Sequence, residues 1–262
     1  MRYSITLSYD GSNFCGWQIQ PDAETIQECL EKALSTLLRC DISVVGAGRT
    51  DSGVNAIAYV AHFDFDGPFD TGQLCYKLNA ILPHSIVVHS VEEEESDFHA
   101  RFSAKRREYT YFLHCRKDPF VSSYSYLCTF QLDFKAMNRA AALLVGTHDF
   151  SCFEKIGADN KTSICTVSEA FWKPYSPSIC AHEGILSSGQ YDDDSFYWYF
   201  RISADRFLRN MVRAIVGSLI EVGRGKRSIE EFAALVNGGS RSMAGESVPG
   251  NALFLSSVKY NK

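Results

Sequence analysis

No run of about 18 apolar residues occurs in the sequence, so nothing in it is expected to span a membrane. There is no C-x-x-C pair. The nine cysteines, at positions 15, 29, 40, 75, 115, 128, 152, 165 and 180, are scattered and odd in number. That spacing excludes a disulfide framework and a zinc knuckle. It suits a reducing compartment, and the cytoplasm is the expected location. There is no G-K-[S/T] phosphate loop and no complete G-x-G-x-x-G, which argues against nucleoside triphosphate and dinucleotide binding. Nor is there a basic excess: 26 Lys and Arg stand against 31 Asp and Glu, a net charge of -5. A protein that coats nucleic acid through bulk charge is thereby disfavoured, while local basic patches stay open. The start, Met1-Arg2-Tyr3-Ser4-Ile5, has no apolar h-region, so no signal peptide is expected.

What is present suits a folded body. The chain has 262 residues, 45% hydrophobic and 22% charged, enough for a sizeable core. Residues 3–9 alternate as a strand. Residues 23–39 carry apolar groups at helical spacing, with Asp22 as the expected N-cap. A short strand at 42–45 leads into a glycine-rich loop, followed by a strand at 59–65, a helix at 70–80 and a strand at 86–91. The second half repeats this order: a strand at 109–113, a helix at 133–145 capped by Asp133, strands at 164–172 and 196–202, and an apolar helix at 206–222. A short helix opened by the Ser228/Glu231 capping box and a strand at 253–258 close the pattern. Two split βαβ units are the simplest summary. The acidic run 92–97 and the turn-rich stretch 174–194 read as surface.

Three windows carry chemistry. Gly46-Ala47-Gly48-Arg49-Thr50-Asp51-Ser52-Gly53-Val54 places an arginine and an aspartate between glycines that permit a tight loop. Alone, it reads equally as a surface turn in which Arg49 and Asp51 merely pair. Residues 98–109, from Phe98, His99 and Arg101 through Arg107 to Tyr109, interleave aromatic and basic groups, a mixture suited to phosphate contact and base stacking. The bland alternative is a basic turn before a strand, with His99 a hydrogen-bonded structural histidine. In the third window Arg206, Arg209 and Arg213 recur at helical spacing among apolar residues. An arginine buried there needs an anion, for which Asp51 is the obvious candidate; an ordinary solvated basic face is the alternative.

Together these windows resemble the TruA family of tRNA pseudouridine synthases. The resemblance rests on GRTDSGV, on FHARFSA with its downstream Arg107-Glu108-Tyr109, and on FLRNMVRAIVGSLIEVGRG. YDGSNFCGWQIQ (9–20), LNAILP (78–83), GTHDFSCF (146–153) and ALFLSSVKY add to it, so it covers nearly the whole chain. It implies an α+β fold of two ferredoxin-like halves, 1–104 and 105–262, joined through a central antiparallel sheet with the active cleft between them. Asp51 matches the family's catalytic aspartate, Tyr109 the tyrosine that packs on the target base, and Arg213 the basic residue that pairs with the aspartate. Arg49 matches an arginine linked to tRNA binding and base flipping. Phe98, His99 and Arg101 fall in an RNA-binding segment. Three positions depart from the usual pattern: Asn55 stands where many members have His, Tyr59 where many have Gln, and Cys165 near a common Arg.

The implied activity is isomerisation of uridine in the tRNA anticodon stem-loop, at tRNA positions 38 to 40, by a homodimer. The C1′–N1 bond breaks, the uracil turns, and C5 joins C1′. This involves neither redox chemistry nor phosphoryl transfer, so no cofactor and no metal are expected. The carboxylate could attack C1′, attack C6, or take a proton from C2′; each route requires it ionised, a state that a nearby guanidinium favours. An RNA-binding protein without catalysis would be marked by an altered Asp51 or Tyr109, and both are intact. A metal-dependent hydrolase built on His148, Asp149 and His182 lacks ligand spacing.

Overall fold

Tyr3, Ile5, Leu7 and Tyr9 are all buried along the first strand, as a period of two demands. The structure is a computed structural model that describes residues 1–155, 157, 162–177 and 195–261. It is a mixed α+β fold in two units, Met1–Glu108 with Phe254–Lys262, and Tyr109–Leu253.

The first unit contains β1 (Arg2–Tyr9), α1 (Ile26–Leu38), β2 (Val45–Gly46), β3 (Asn55–Asp64), α2 (Thr71–Ile81), β4 (Ile86–Glu94) and the start of β5 (Ala104–His114). Strand β1 lies between β3 and β4 and is antiparallel to both. The chain's last strand returns to this unit and runs parallel to β3, with Phe254 opposite Asn55. Ile26, Leu30 and Leu34 of α1 are buried, as are Ile5 and Leu7 of β1 and Tyr59, Ala61 and Phe63 of β3.

Two local expectations fail here for identifiable reasons. Helix α1 starts at Ile26, and its cap is Thr25, whose hydroxyl accepts from Glu28 N–H. Asp22 lies outside the helix with φ 56°. The first helical amides are used to hold the preceding segment: Ile26 N–H donates to Gly16 C=O and Gln27 N–H to Trp17 C=O, at 3.2 and 3.0 Å. The strand expected at 42–45 reduces to Val45–Gly46. Ile42 and Val44 are buried, but their N–H groups go to side chains, Ser35 Oγ and Glu31 Oε1, both at 2.9 Å. The burial pattern of a strand is therefore present without its ladder. Strand β4 also continues through Glu94 into the acidic run, where Ser4 donates to Glu94.

The second unit holds the rest of β5, then β6 (Tyr126–Leu127), α3 (Phe134–Ala142), β7 (Gly146–Asp149), β8 (Ile164–Pro174), β9 (Tyr197–Ala204), α4 (Met211–Gly223), α5 (Ile229–Val236) and the first residue of β10 (Leu253–Tyr260). Its strands follow the order β5-β9-β8-β7, with β7, β8 and β9 antiparallel. Asp133 caps α3 and Ser228 with Glu231 forms the capping box of α5, both as expected. The helix expected at 206–222 instead begins at Met211. Asn210 adopts φ 67°, a left-handed conformation that asparagine tolerates and a helix cannot contain. The Asp205 carboxylate accepts from Thr166 and Arg206 N–H, fixing a turn before it. Arg206 and Arg209 therefore lie on this turn, and the basic stripe on a helix face is not formed. Residues 178–194 of the expected long connection lie outside the described residues. No helix among the described residues is long and apolar enough to cross a membrane.

Candidate active site

The loop between β2 and β3 is held at successive backbone groups by residues from four places in the first unit. Ala47 N–H donates to Val60 C=O at 2.8 Å, and Ala47 C=O accepts from Arg107 Nη2 at 3.0 Å. Tyr59 donates its hydroxyl proton to Gly48 C=O. Thr50 C=O accepts from Trp17 N–H at 3.3 Å, while its side chain shares a 2.9 Å hydrogen bond with the Tyr9 hydroxyl. Gly53 N–H and the Ser52 hydroxyl both donate to Phe14 C=O at 3.3 Å. Just past the loop, Asn55 Oδ1 accepts from Gly11 N–H at 2.8 Å. Segment 9–17 is thus a cradle for the loop, a physical reason for the Y-D-G-S-N-F-C-G-W run to accompany G-R-T-D in one chain. Within this cradle Arg49 is exposed and Asp51 half-buried. Thr50 between them is buried. Such an arrangement presents a guanidinium and a carboxylate from a backbone with little freedom, as positioned acid–base or nucleophilic chemistry requires.

Two of the departures noted in the sequence are parts of this cradle. Asn55 is buried and holds Gly11. Tyr59 is fully buried and stacks on Trp17, with ring centroids 4.1 Å apart. The third, Cys165, is buried in β8 of the second unit, and burial pushes its thiol up to about 12.

Phe98, His99 and Arg101 share one turn of the first unit. Arg2 Nη1 donates to Phe98 C=O at 2.8 Å and Tyr260 donates its hydroxyl proton to Ala100 C=O at 2.7 Å. Arg107 also donates to Arg101 C=O, so one guanidinium ties this turn to the Asp51 loop. Arg101 and Phe102 are exposed, the cation 5.6 Å from the ring centroid. That pairing offers a charge and an aromatic face together. Phe98 is half-buried against Tyr260, 5.1 Å between centroids. His99 Nδ1 accepts from the N–H groups of Arg101 and Phe102 at 3.2 and 3.3 Å. Burial, then Arg2, hold its titration below the ordinary histidine range.

His62, which sequence reasoning did not single out, supports the same turn. Its Nδ1 accepts from Ala100 N–H at 3.1 Å, and its ring lies 4.8 Å from that of His99. Burial, reinforced by Arg2 and His99, pulls its pKa down to about 4, against smaller opposing effects of Asp64 and Val45. The bond to Ala100 needs an unprotonated Nδ1, in agreement. An unfolded histidine titrates near 6.5. Between pH 6.5 and 4 the unfolded chain therefore binds a proton that the folded chain does not, and stability falls as pH falls through that window. We expect urea unfolding at pH 5 to show about 1–2 kcal/mol less stability than at pH 7 from this group. His62→Asn, which can still accept from Ala100, should flatten that slope; an unchanged slope would remove His62 as its source.

In the second unit Tyr109 is half-buried on β5 and meets Phe207 edge to face at 5.0 Å. Arg213 is half-buried on the first turn of α4, its Nε donating to Val248 C=O at 2.7 Å. It lies close enough to the buried Tyr111 hydroxyl to oppose the upward shift that burial imposes there. The Tyr111 hydroxyl has no hydrogen-bond partner among the described residues. The signal for His62, Arg2 and Tyr260 is weak in sequence, because each acts on a backbone carbonyl or amide far along the chain.

Of the residues weighed for a metal site, His148 Nε2 bonds Val145 C=O at 3.2 Å and Asp149 accepts from Ser151 N–H at 2.9 Å. His182 lies outside the described residues. Among the described residues no group of three His, Cys, Asp or Glu side chains could hold a metal ion.

A family model described as tRNA pseudouridine synthase matches residues 5–103 and 140–261 of this chain. The tRNA pseudouridine synthase A of Bacteroides fragilis is 48% identical over 260 residues, covering 99% of this chain and 96% of the relative. That of Bacteroides thetaiotaomicron is 48% identical over 259 residues, covering 99% and 90%. The Bacillus subtilis enzyme of the same name is 37% identical over 265 residues, covering 100% of both.

Proposed function

The chain belongs to the tRNA pseudouridine synthase family, an isomerase family, and from that premise we propose that Asp51 is its catalytic carboxylate and the anticodon stem-loop its target. The observation that carries this reading is the loop itself. Ala47, Gly48, Thr50 and Gly53, on either side of Asp51, are each bonded through the backbone to a neighbouring segment of the unit, while Asp51 and Arg49 keep access to solvent. In the reaction the C1′–N1 bond breaks, the uracil turns, C5 bonds to C1′, and the proton lost from C5 is balanced by one gained at N1. Atoms and charge are conserved, nothing is oxidised or reduced and no phosphoryl group moves, so the reaction consumes no redox cofactor and no nucleoside triphosphate.

The remaining roles follow the resemblance. Tyr109 stacks on the uracil while it turns, and Arg213 supplies the positive charge that favours an ionised Asp51. A base within a stem must leave its stack, at a cost of a few kcal/mol. Arg49, exposed two residues before Asp51, occupies the vacated space. Phe98, His99 and Arg101 mark the turn that grips RNA backbone and shape, with Arg101 and Phe102 as its outward contacts. A focused patch of this kind operates at a net charge of -5. The two ferredoxin-like halves, the homodimer and the cytoplasmic location belong to the same reading.

The test is to incubate the protein with an unmodified tRNA transcript and map pseudouridine along it. Product at tRNA positions 38 to 40 is expected. Product confined to another stem overturns the target, and no product in any tRNA overturns the function.

A further inference from the structure

We propose that Tyr59 is a positioning residue for the reaction, its hydroxyl setting the height of the Gly48–Asp51 segment from beneath. The inference rests on the reading of Asp51 as the catalytic carboxylate. Tyr59 comes from the middle of β3, opposite Leu7 of β1, and has no exposed surface. Its ring is clamped by Trp17 on one side and meets Tyr9 at 5.6 Å on another. The hydroxyl therefore stands at a defined place. It donates to Gly48 C=O and, at a longer 3.4 Å, accepts from Gly48 N–H. A phenol can do both at once. Gly48 directly precedes Arg49 and stands three residues before Asp51. A glycine is the position where such a loop would otherwise be freest.

The neighbouring sequence is adapted to this contact. A Cβ on Gly46 would collide with the Tyr59 hydroxyl and come within 2.6 Å of Trp17 Cε2. Position 46 can thus carry no side chain while the Tyr59–Trp17 pair stays in place. The other anchors of the loop, Arg107 at Ala47 and Trp17 at Thr50, flank the Tyr59 contact. Removing the hydroxyl leaves the ring and its stack but frees the backbone between those anchors. The consequence should fall on the geometry of Arg49 and Asp51, and so on the chemical step. RNA affinity, which draws chiefly on Arg101 and Phe102, should change little, since Arg49 acts on the flipped base.

The experiment compares Tyr59→Phe with the parent protein by single-turnover conversion of a tRNA transcript at saturating enzyme. tRNA Kd and thermal unfolding are measured alongside. Ile5→Val, on β1 with β3 standing between it and Gly46 and with no bond to the loop among the described residues, serves as the control for lost stability. A rate about tenfold lower with Kd unchanged within about twofold is expected for Tyr59→Phe, and a rate near that of the parent for Ile5→Val. Gly46→Ala places a Cβ against the same hydroxyl and should give the same split between rate and affinity, so a folding failure in one variant leaves the other decisive. A Tyr59→Phe rate within about twofold of the parent overturns the proposal. So does an equal loss of rate in Ile5→Val at matched stability, which would reduce Tyr59 to packing. Asp51→Asn forms a separate arm: full activity there overturns the catalytic reading of the loop itself, irrespective of Tyr59.

Discussion

Replacing Asp51 by Asn is expected to lower the single-turnover rate of pseudouridine formation by about a thousandfold or more, with tRNA affinity held within about threefold. Asparagine has nearly the same shape, and the backbone bond at this residue, Val54 N–H to Asp51 C=O at 3.1 Å, does not involve the side chain. The loop should therefore keep its form. What is lost is the negative charge that attack on C1′, attack on C6 and proton removal from C2′ all need. RNA affinity should survive because the exposed cation and ring of the 98–102 turn are untouched. Rates measured at saturating enzyme, with binding followed separately, distinguish the two effects. Asp51→Asn at the parent rate would show that the carboxylate is not the reacting group.

Gly16→Ala should produce the largest loss of stability among changes near the site, roughly 2–5 kcal/mol. Two costs add. Gly16 has φ +85°, in the left-handed region that a residue with a Cβ resists. A Cβ there would also collide with Thr50 C=O and lie 3.1 Å from the Asp51 carbonyl carbon. These are backbone atoms, which cannot swing aside as the end of a flexible side chain can. Relief would require the Asp51 loop to lift or segment 14–17 to retreat, with loss of the Trp17-to-Thr50 bond. Urea unfolding gives the stability, and the single-turnover assay should show a rate falling in parallel. A change below about 1 kcal/mol would mean that the loop is softer than its hydrogen bonds indicate.

Much of this arrangement can be read from sequence where the signal is local. The alternation in β1, the Asp133 cap and the Ser228/Glu231 box depend on residues within a few positions of one another, and each forms as its spacing requires. The loop bearing Arg49 and Asp51 is equally local, since its glycines and its place after buried Ile42 and Val44 mark it. Sequence reasoning fails where a distant partner claims a backbone group. Residues 42–44 look like a strand, but Ser35 and Glu31 take the amides. The α1 cap moves from Asp22 to Thr25 because the helix's first amides hold Gly16 and Trp17. The run of Arg206, Arg209 and Arg213 has helical spacing, yet Asp205 and a left-handed Asn210 cut it in two. At the site, Tyr59 and Asn55 register in sequence as departures from a family pattern. That both support the backbone around Asp51 emerges only from their side-chain contacts.

The strand that closes the first unit is made last. β10 supplies the parallel neighbour of β3, and Tyr260 fastens the turn that carries Arg101. As the chain is synthesised, residues 1–108 emerge with β2 along part of this flank of β3 but with its Asn55–Ala56 end uncovered, and that end stays open until some 150 further residues have been translated. During this interval the unpaired edge is a target for wrong partners. The Asp51 loop and the turn carrying Arg101 accordingly draw part of their support from the far end of the polypeptide.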